Sequence, residues 1–167
     1  METTPQDFFE SFVYENYLDC ERNKGSIRYA FNAAVSASHM ADHYFNYNEK
    51  HDISKIKQFK KSTDFIKFLS KETNDCFKDI RSIANAYKHL YNTPKKAMYS
   101  TICSPGVLES ITFNDRKLNF TKIEEDYSFN ETNNFETRVV FTRKDGKRID
   151  FFTTLDTVIK FWQYLLR

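Results

Sequence analysis

At Pro94 the spacing of apolar residues changes, and that change bounds the fold. Before it, apolar side chains recur three and four positions apart, as in Ala30, Phe31, Ala34 and Val35, or Ile80, Ile83, Ala84 and Tyr87. This is the repeat of an amphipathic helix, which turns about 100° per residue. After Pro94, β-branched and aromatic residues alternate with polar ones, as in a strand with one covered face. Helical spacing then returns through Leu155, Val158, Ile159, Trp162, Leu165 and Leu166. The expected class is α+β: an N-terminal bundle of about four helices, a small antiparallel β-sheet and a C-terminal amphipathic helix. A chain of 167 residues fits one domain. Its helical part spans 1–93, its β part 94–153 and its closing helix 154–167.

Local signals place the elements. Thr4-Pro5-Gln6-Asp7 starts a helix over about 5–20: Thr4 caps, Pro5 suits the first helical position, and Asp7 lies three residues after the cap. Asn23-Lys24-Gly25-Ser26 ends it. A second helix is expected over 26–47, with Ile27, Ala30, Phe31, Ala34, Val35, Ser38, Ala41 and Phe45 facing inward. Its alanines at 30, 33, 34, 37 and 41 let another helix come close, which argues for a central position. The lysine-rich stretch 48–61 holds one short helix through Ile53, Ile56 and Phe59, and Ser62-Thr63-Asp64 begins the next. Asn74 is expected to cap a helix over 74–92, which Pro94 stops. Strands are expected at 97–103, 108–113, 118–123, 137–142 and 148–152, with a polar loop at 124–134. Asp145-Gly146 supplies the positive φ of a tight hairpin. The last helix is expected to start at Thr153 or Thr154. With 17 Phe, phenylalanine takes core positions that leucine fills elsewhere.

Composition excludes several classes of function. A net charge of +2 is too mild to imply nucleic acid by itself. Cys20, Cys76 and Cys103 are far apart and show no Cys-x-x-Cys or Cys/His zinc spacing, so reduced structural thiols are expected. The chain opens without the features of a signal peptide, and no apolar run nears the ~20 residues of a membrane span. A soluble cytoplasmic protein without a membrane partner is the expectation. Three glycines cannot build a Gly-rich phosphate loop, which argues against Walker-type hydrolysis, and no serine sits in a nucleophile elbow. Nothing in the sequence asks for a cofactor.

The chemistry gathers in residues 79–89. Ile80, Ile83, Ala84, Tyr87, Leu90 and Tyr91 fall on one side of this helix, and Arg81, Asn85, Lys88 and His89 on the other. An arginine, an amide, a lysine and an imidazole within three turns suit anion binding or acid–base chemistry. On the second helix, His39 and His43 are spaced i, i+4, with Met40-Ala41 where a metalloprotease helix carries a glutamate. Asp42 projects nearer the apolar side and needs a partner. If the two helices pack side by side, their polar edges meet in a cleft. Asp42 then pairs with Arg81 or Lys88, and His39, His43 and His89 lie beside it. Such a cleft can cleave RNA without metal: one imidazole takes the 2′-hydroxyl proton, a second group protonates the leaving 5′-oxygen, and Arg81 or Lys88 holds the phosphate. It can equally bind a phosphate or nucleotide without acting on it. The plain alternative is a solvated basic face, with His89 favoured by the dipole at its helix C-terminus. The lysines of 50–61 read as a solvated face, or, with Tyr47 and Phe59, as a guide for a nucleic-acid backbone.

Ile80-Arg81-Ser82-Ile83-Ala84-Asn85-Ala86-Tyr87-Lys88-His89 resembles a helix of small bacterial proteins, many encoded near phage or mobile-element genes, in which Ile-Ala-Asn-x-x-Lys-His recurs. The stretch from Phe31 to Asp42 is similar to their Ala-rich His-x-x-Asp helix, and the Asp145-Gly146 hairpin before Val158-Ile159-Lys160-Phe161-Trp162 resembles their ending. The resemblance implies the same α+β build and assigns no activity. A more distant likeness is to the HEPN superfamily, helical bundles that include toxin and antiphage ribonucleases, whose site is Arg, four to six residues, then His. Here Arg81 lies one position too early for that count, while Asn85 and His89 keep the polar-x-x-x-His half. The likeness implies a small protein of mobile-element or defence type that binds RNA or a nucleotide, or cleaves RNA without metal. In it His89 is the acid–base residue, Arg81 or Lys88 holds phosphate, Asn85 orients, Asp42 fixes a partner, and His39 and His43 face the substrate. Two rivals remain. One is an interaction module, a homodimer or an antitoxin-like partner, in which Asn85, Lys88 and Asp42 are buried hydrogen-bonding groups. The other is a metalloprotein on His39, His43 and His89.

Overall fold

The computed structural model describes residues 2–88, 108–114 and 135–167; of Tyr87, Lys88, Asn114 and Phe135 it describes the backbone alone. The fold is α+β: among the described residues a helical layer is joined to a three-stranded antiparallel sheet and a closing helix. The expected strands at 97–103 and 118–123, the loop at 124–134 and the helix end beyond 88 lie outside the described residues.

Helix α1 (Pro5–Phe8) begins with a reciprocal cap. The Asp7 amide donates to Thr4 Oγ1 at 3.1 Å, and the Thr4 amide donates to Asp7 Oδ2 at 3.2 Å. The chain passes through a π-helical stretch, Phe9–Tyr14, into α2 (Glu15–Arg22). The helix expected over 5–20 is therefore three joined segments, and its wide π turn buries Phe9 and Val13 while leaving Phe12 in solvent.

Helix α3 (Ile27–His51) is the centre of the bundle. Its five alanines at 30, 33, 34, 37 and 41 are all buried, and it touches helices on several sides. Burial therefore spreads past the expected stripe: Met40 and Tyr44 are also in the core, whereas Ile27 is exposed and Phe31 and Val35 are half-buried.

The lysine-rich segment forms one 3₁₀ turn, Ile53–Lys55, in place of the helix expected through Phe59. Ile56 alone of its apolar trio is fully buried, and it anchors the segment. Helix α4 (Ser62–Glu72) follows, burying Phe65 and Leu69. Asn74 and Asp75 then adopt φ of 50° and 64°, a left-handed corner that these residue types tolerate. Helix α5 (Cys76–Lys88) starts two residues later than expected. Its cap is Thr73 and not Asn74: Thr73 Oγ1 accepts from the Phe77 amide at 3.0 Å and donates to the Leu69 carbonyl at 2.7 Å.

Strands β1 (Glu109–Asn114), β2 (Phe135–Thr142) and β3 (Arg148–Asp150) run in sheet order 1-2-3, with Ser110 opposite Val139 and Phe141 opposite Ile149. Gly146, at φ +83°, turns the β2–β3 hairpin. Helix α6 (Phe151–Leu165) begins before the expected Thr153, because Asp150 stops β3 and caps the helix: its Oδ1 accepts from the Thr153 amide at 2.7 Å.

The α2–α3 loop ties the bundle to the sheet. The Val139 amide donates to the Lys24 carbonyl and Ser110 Oγ donates to the Gly25 carbonyl, both at 2.8 Å. A Cβ on Gly25 would lie 2.6 Å from Thr137 Cγ2, so only glycine admits this approach. One apolar cluster runs through helices and strands, with Trp162 against the stacked pair of Tyr44 and Phe65 and with Phe65, Phe77, Phe141 and Phe151 fully buried. Among the described residues no helix is long and apolar enough to cross a membrane.

Candidate anion-binding site

Helices α3 and α5 pack against each other, and the buried alanines of α3 and the buried Ile80, Ile83 and Ala84 of α5 suit a close approach. Their polar edges meet. Arg81 Nη1 stands 3.2 Å from Asp42 Oδ2 and donates at 3.5 Å to the Ser38 carbonyl. The carboxylate expected near the apolar edge has found a guanidinium on the neighbouring helix. Beside the pair is a hollow of about 320 Å³. Phe31, Val35 and Ala84 form its apolar wall, and His39, Asp42, Arg81 and Asn85 its polar side.

A second hollow, of about 910 Å³, opens between α4 and α5. Lys67, Lys71, Lys78 and Arg81 line it, against one lining carboxylate, Asp75. Thr63, Ser70, Asn74, Ser82 and Asn85 add hydroxyls and amides. The left-handed corner at Asn74-Asp75 folds α5 back along α4, so that lysines from both helices face one space. Lys67 lies 3.9 Å from Asp64; Lys71 and Lys78 have no ion-pair partner among the described residues. Arg81 and Asn85 line both hollows and so stand between them.

The other predicted site residues are distributed as follows. His43 lies away from both hollows: its ring stacks on Phe8 at 4.7 Å, and its Nε2 donates to the Thr3 carbonyl at 3.0 Å. His39, one turn earlier, is exposed at the rim of the smaller hollow. The Lys88 side chain and all of His89 fall outside the described residues. A metal on His39, His43 and His89 needs that undescribed third ligand; among the described residues no three His, Cys, Asp or Glu side chains could hold an ion. Asn85 is exposed and the Asp42 side chain keeps 43% of its surface in solvent, so neither is a buried structural hydrogen-bonder.

Asp79 was not among the residues expected to matter. Its side chain is fully buried and is gripped by Arg143 of the hairpin, whose Nε lies 3.0 and 3.2 Å from the two carboxylate oxygens and whose Nη2 makes a closer contact still. The Asp79 carboxylate holds the Arg143 pKa above its ordinary value. A signal was present: Asp79 shares the apolar stripe of α5, three residues after Cys76 and four and seven before Ile83 and Ala86. Burial pushes the Cys20 thiol up to about 12 and raises that of Cys76, as befits structural thiols.

Compared with protein-family models, with curated proteins and with solved structures, the chain matches none.

Proposed function

We propose that this chain binds RNA or a nucleotide, with phosphates held in the α4–α5 hollow. The observation that carries the reading is the convergence of Lys67, Lys71, Lys78 and Arg81 on one space with a single carboxylate in its lining. Such a set attracts a polyanion through counterion release, a long-range effect that needs no base contact. Arg81 Nη1 is committed to Asp42 and the Ser38 carbonyl, so its remaining N–H groups supplement the lysines, which act as point charges for phosphate. The reading fits a cytoplasmic, HEPN-like protein of mobile-element or defence type. Metal-independent cleavage belongs to it as the further step in which His89 or His39 moves the proton of the 2′-hydroxyl.

The test is fluorescence anisotropy with a labelled oligouridine of about twelve nucleotides, in EDTA, across a salt series. The Lys71→Glu/Lys78→Glu variant changes exposed side chains and should keep the circular dichroism of the parent. It should bind far more weakly, and its salt slope should be shallower by about 0.7 for each phosphate that it no longer neutralises. Affinity and slope equal to those of the parent would overturn the reading. Gels of the same samples report cleavage, which must vanish in Arg81→Ala and His89→Ala if the chain is a ribonuclease.

A further inference from the structure

The smaller hollow differs in chemistry from the basic one beside it. Its wall is apolar, of Phe31, Val35 and Ala84, and its lining holds no lysine. Its one guanidinium, on Arg81, is already turned to Asp42 at 3.2 Å. Phosphate gains little by entering. A flat, uncharged ring with a hydrogen-bonding edge gains the apolar wall on its face and polar partners on its edge. The volume of about 320 Å³ falls within the range of small-ligand sites. Because Arg81 and Asn85 line both hollows, a nucleotide with its phosphate among the lysines has its base within reach of this one.

The polar edge also selects. A carboxylate in an ion pair only accepts hydrogen bonds, so Asp42 favours a base with adjacent N–H groups and disfavours one presenting ring nitrogen or carbonyl lone pairs. Among the RNA bases, guanine alone sets two N–H donors side by side, at N1 and at the exocyclic N2. Adenine and cytosine place an acceptor next to their amino group, and uracil places its one N–H between two carbonyls. Asp42 Oδ2 takes Arg81 and keeps a lone pair, and Oδ1 has its own. The Asn85 amide, on the other helix, donates to the guanine O6 or N7. We propose that the α3–α5 hollow is a base slot that selects guanine, with Asp42 accepting from N1–H and N2–H. This inference rests on the RNA-binding reading and makes it specific.

Four labelled oligouridines, each with a central U, C, A or G, test it by anisotropy in EDTA. The parent should bind the G probe about tenfold more tightly than the other three. Asp42→Asn, which replaces one acceptor with an N–H donor, should erase that preference. Should Asp42→Asn fail to fold, Asn85→Ala, at an exposed position, should narrow the preference instead. Equal affinity for the four probes, or a preference for A, C or U, overturns the base slot. If Lys71→Glu/Lys78→Glu still weakens all four, the phosphate reading survives that failure. If the parent binds none of the probes, both readings fall together.

Discussion

Helix α5 carries two arginine–aspartate pairs, and they serve different ends. Asp79 and Arg81 stand two positions apart, about 200° around the helix, so they face opposite ways. On one side Asp79 is 0% exposed and meets Arg143 with two guanidinium nitrogens. On the other, Arg81 reaches Asp42 through one nitrogen, with 26% and 43% of the two side chains in solvent. The first pair takes its carboxylate wholly out of solvent, though Arg143 is as exposed as Arg81 at 26%, and clasps the hairpin to the bundle. The second leaves lone pairs and N–H groups at the wall between two hollows. The same two residue types therefore make a buried clasp or a partly solvated pair at a cavity wall, and burial and the number of prongs decide which.

The sharpest way to break this contrast is to remove one cation from each pair. Arg143→Ala leaves a carboxylate inside the protein with no counter-ion, so it should cost about 3–5 kcal/mol in urea denaturation. Replacing both partners, as Asp79→Leu/Arg143→Leu, should cost less than Arg143→Ala alone, because no charge is then stranded. Equal destabilisation by Arg143→Ala and Arg81→Ala would mean that burial does not separate the two pairs.

Arg81→Ala should cost about 0–1 kcal/mol, since Asp42 is already partly solvated. The same variant should lose RNA affinity in the anisotropy assay. A large drop in stability with unchanged binding would reverse the assignment and make Arg81 a second clasp. Measuring both quantities on one preparation keeps the two outcomes apart.

Periodicity made much of this legible in advance. The alanines of α3, the alternation in β1 and β2 and the recurrence from Leu155 to Leu166 are local patterns, and local patterns determined those elements. The meeting of Asp42 with Arg81 was legible because Asp42 leans toward an apolar edge that another helix must cover. Contacts between distant segments were not. Arg143 lies 64 residues from Asp79, across a hairpin whose placement no spacing rule gives. His43 is held by a backbone carbonyl 40 residues away, and a carbonyl leaves no mark on the sequence. The basic hollow was hidden for a related reason. Lys67, Lys71 and Lys78 belong to two helices, and only the left-handed turn at Asn74-Asp75 brings them to one space. The denser lysines at 55, 57, 60 and 61 are more prominent in the sequence and are exposed to solvent. At Asp150 two local rules competed: the aromatic run favoured a longer strand, and the cap prevailed.

A third ion cluster extends the contrast to its exposed limit. Glu2 Oε1 lies 3.3 Å from Lys50 Nζ and Glu2 Oε2 lies 3.0 Å from His51 Nε2, all three side chains being about half in water. The His51 hydrogen bond, and then Lys50, hold the Glu2 carboxyl below its ordinary value of 4.5. A depressed carboxyl pKa favours the folded contact above the ordinary value and loses that contribution as the pH falls through the lower, folded one. In an NMR titration Glu2 should therefore reach its midpoint below 4.5; a midpoint at or above that value would show that the contact with His51 and Lys50 is not formed. At neutral pH in physiological salt, Glu2→Gln should leave the urea midpoint where it was, because exposed pairs are screened and lose side-chain entropy in holding their geometry. If it instead matched Arg143→Ala, counting ion pairs would predict stability as well as burial does, and the distinction between the two pairs on α5 would lose its physical basis.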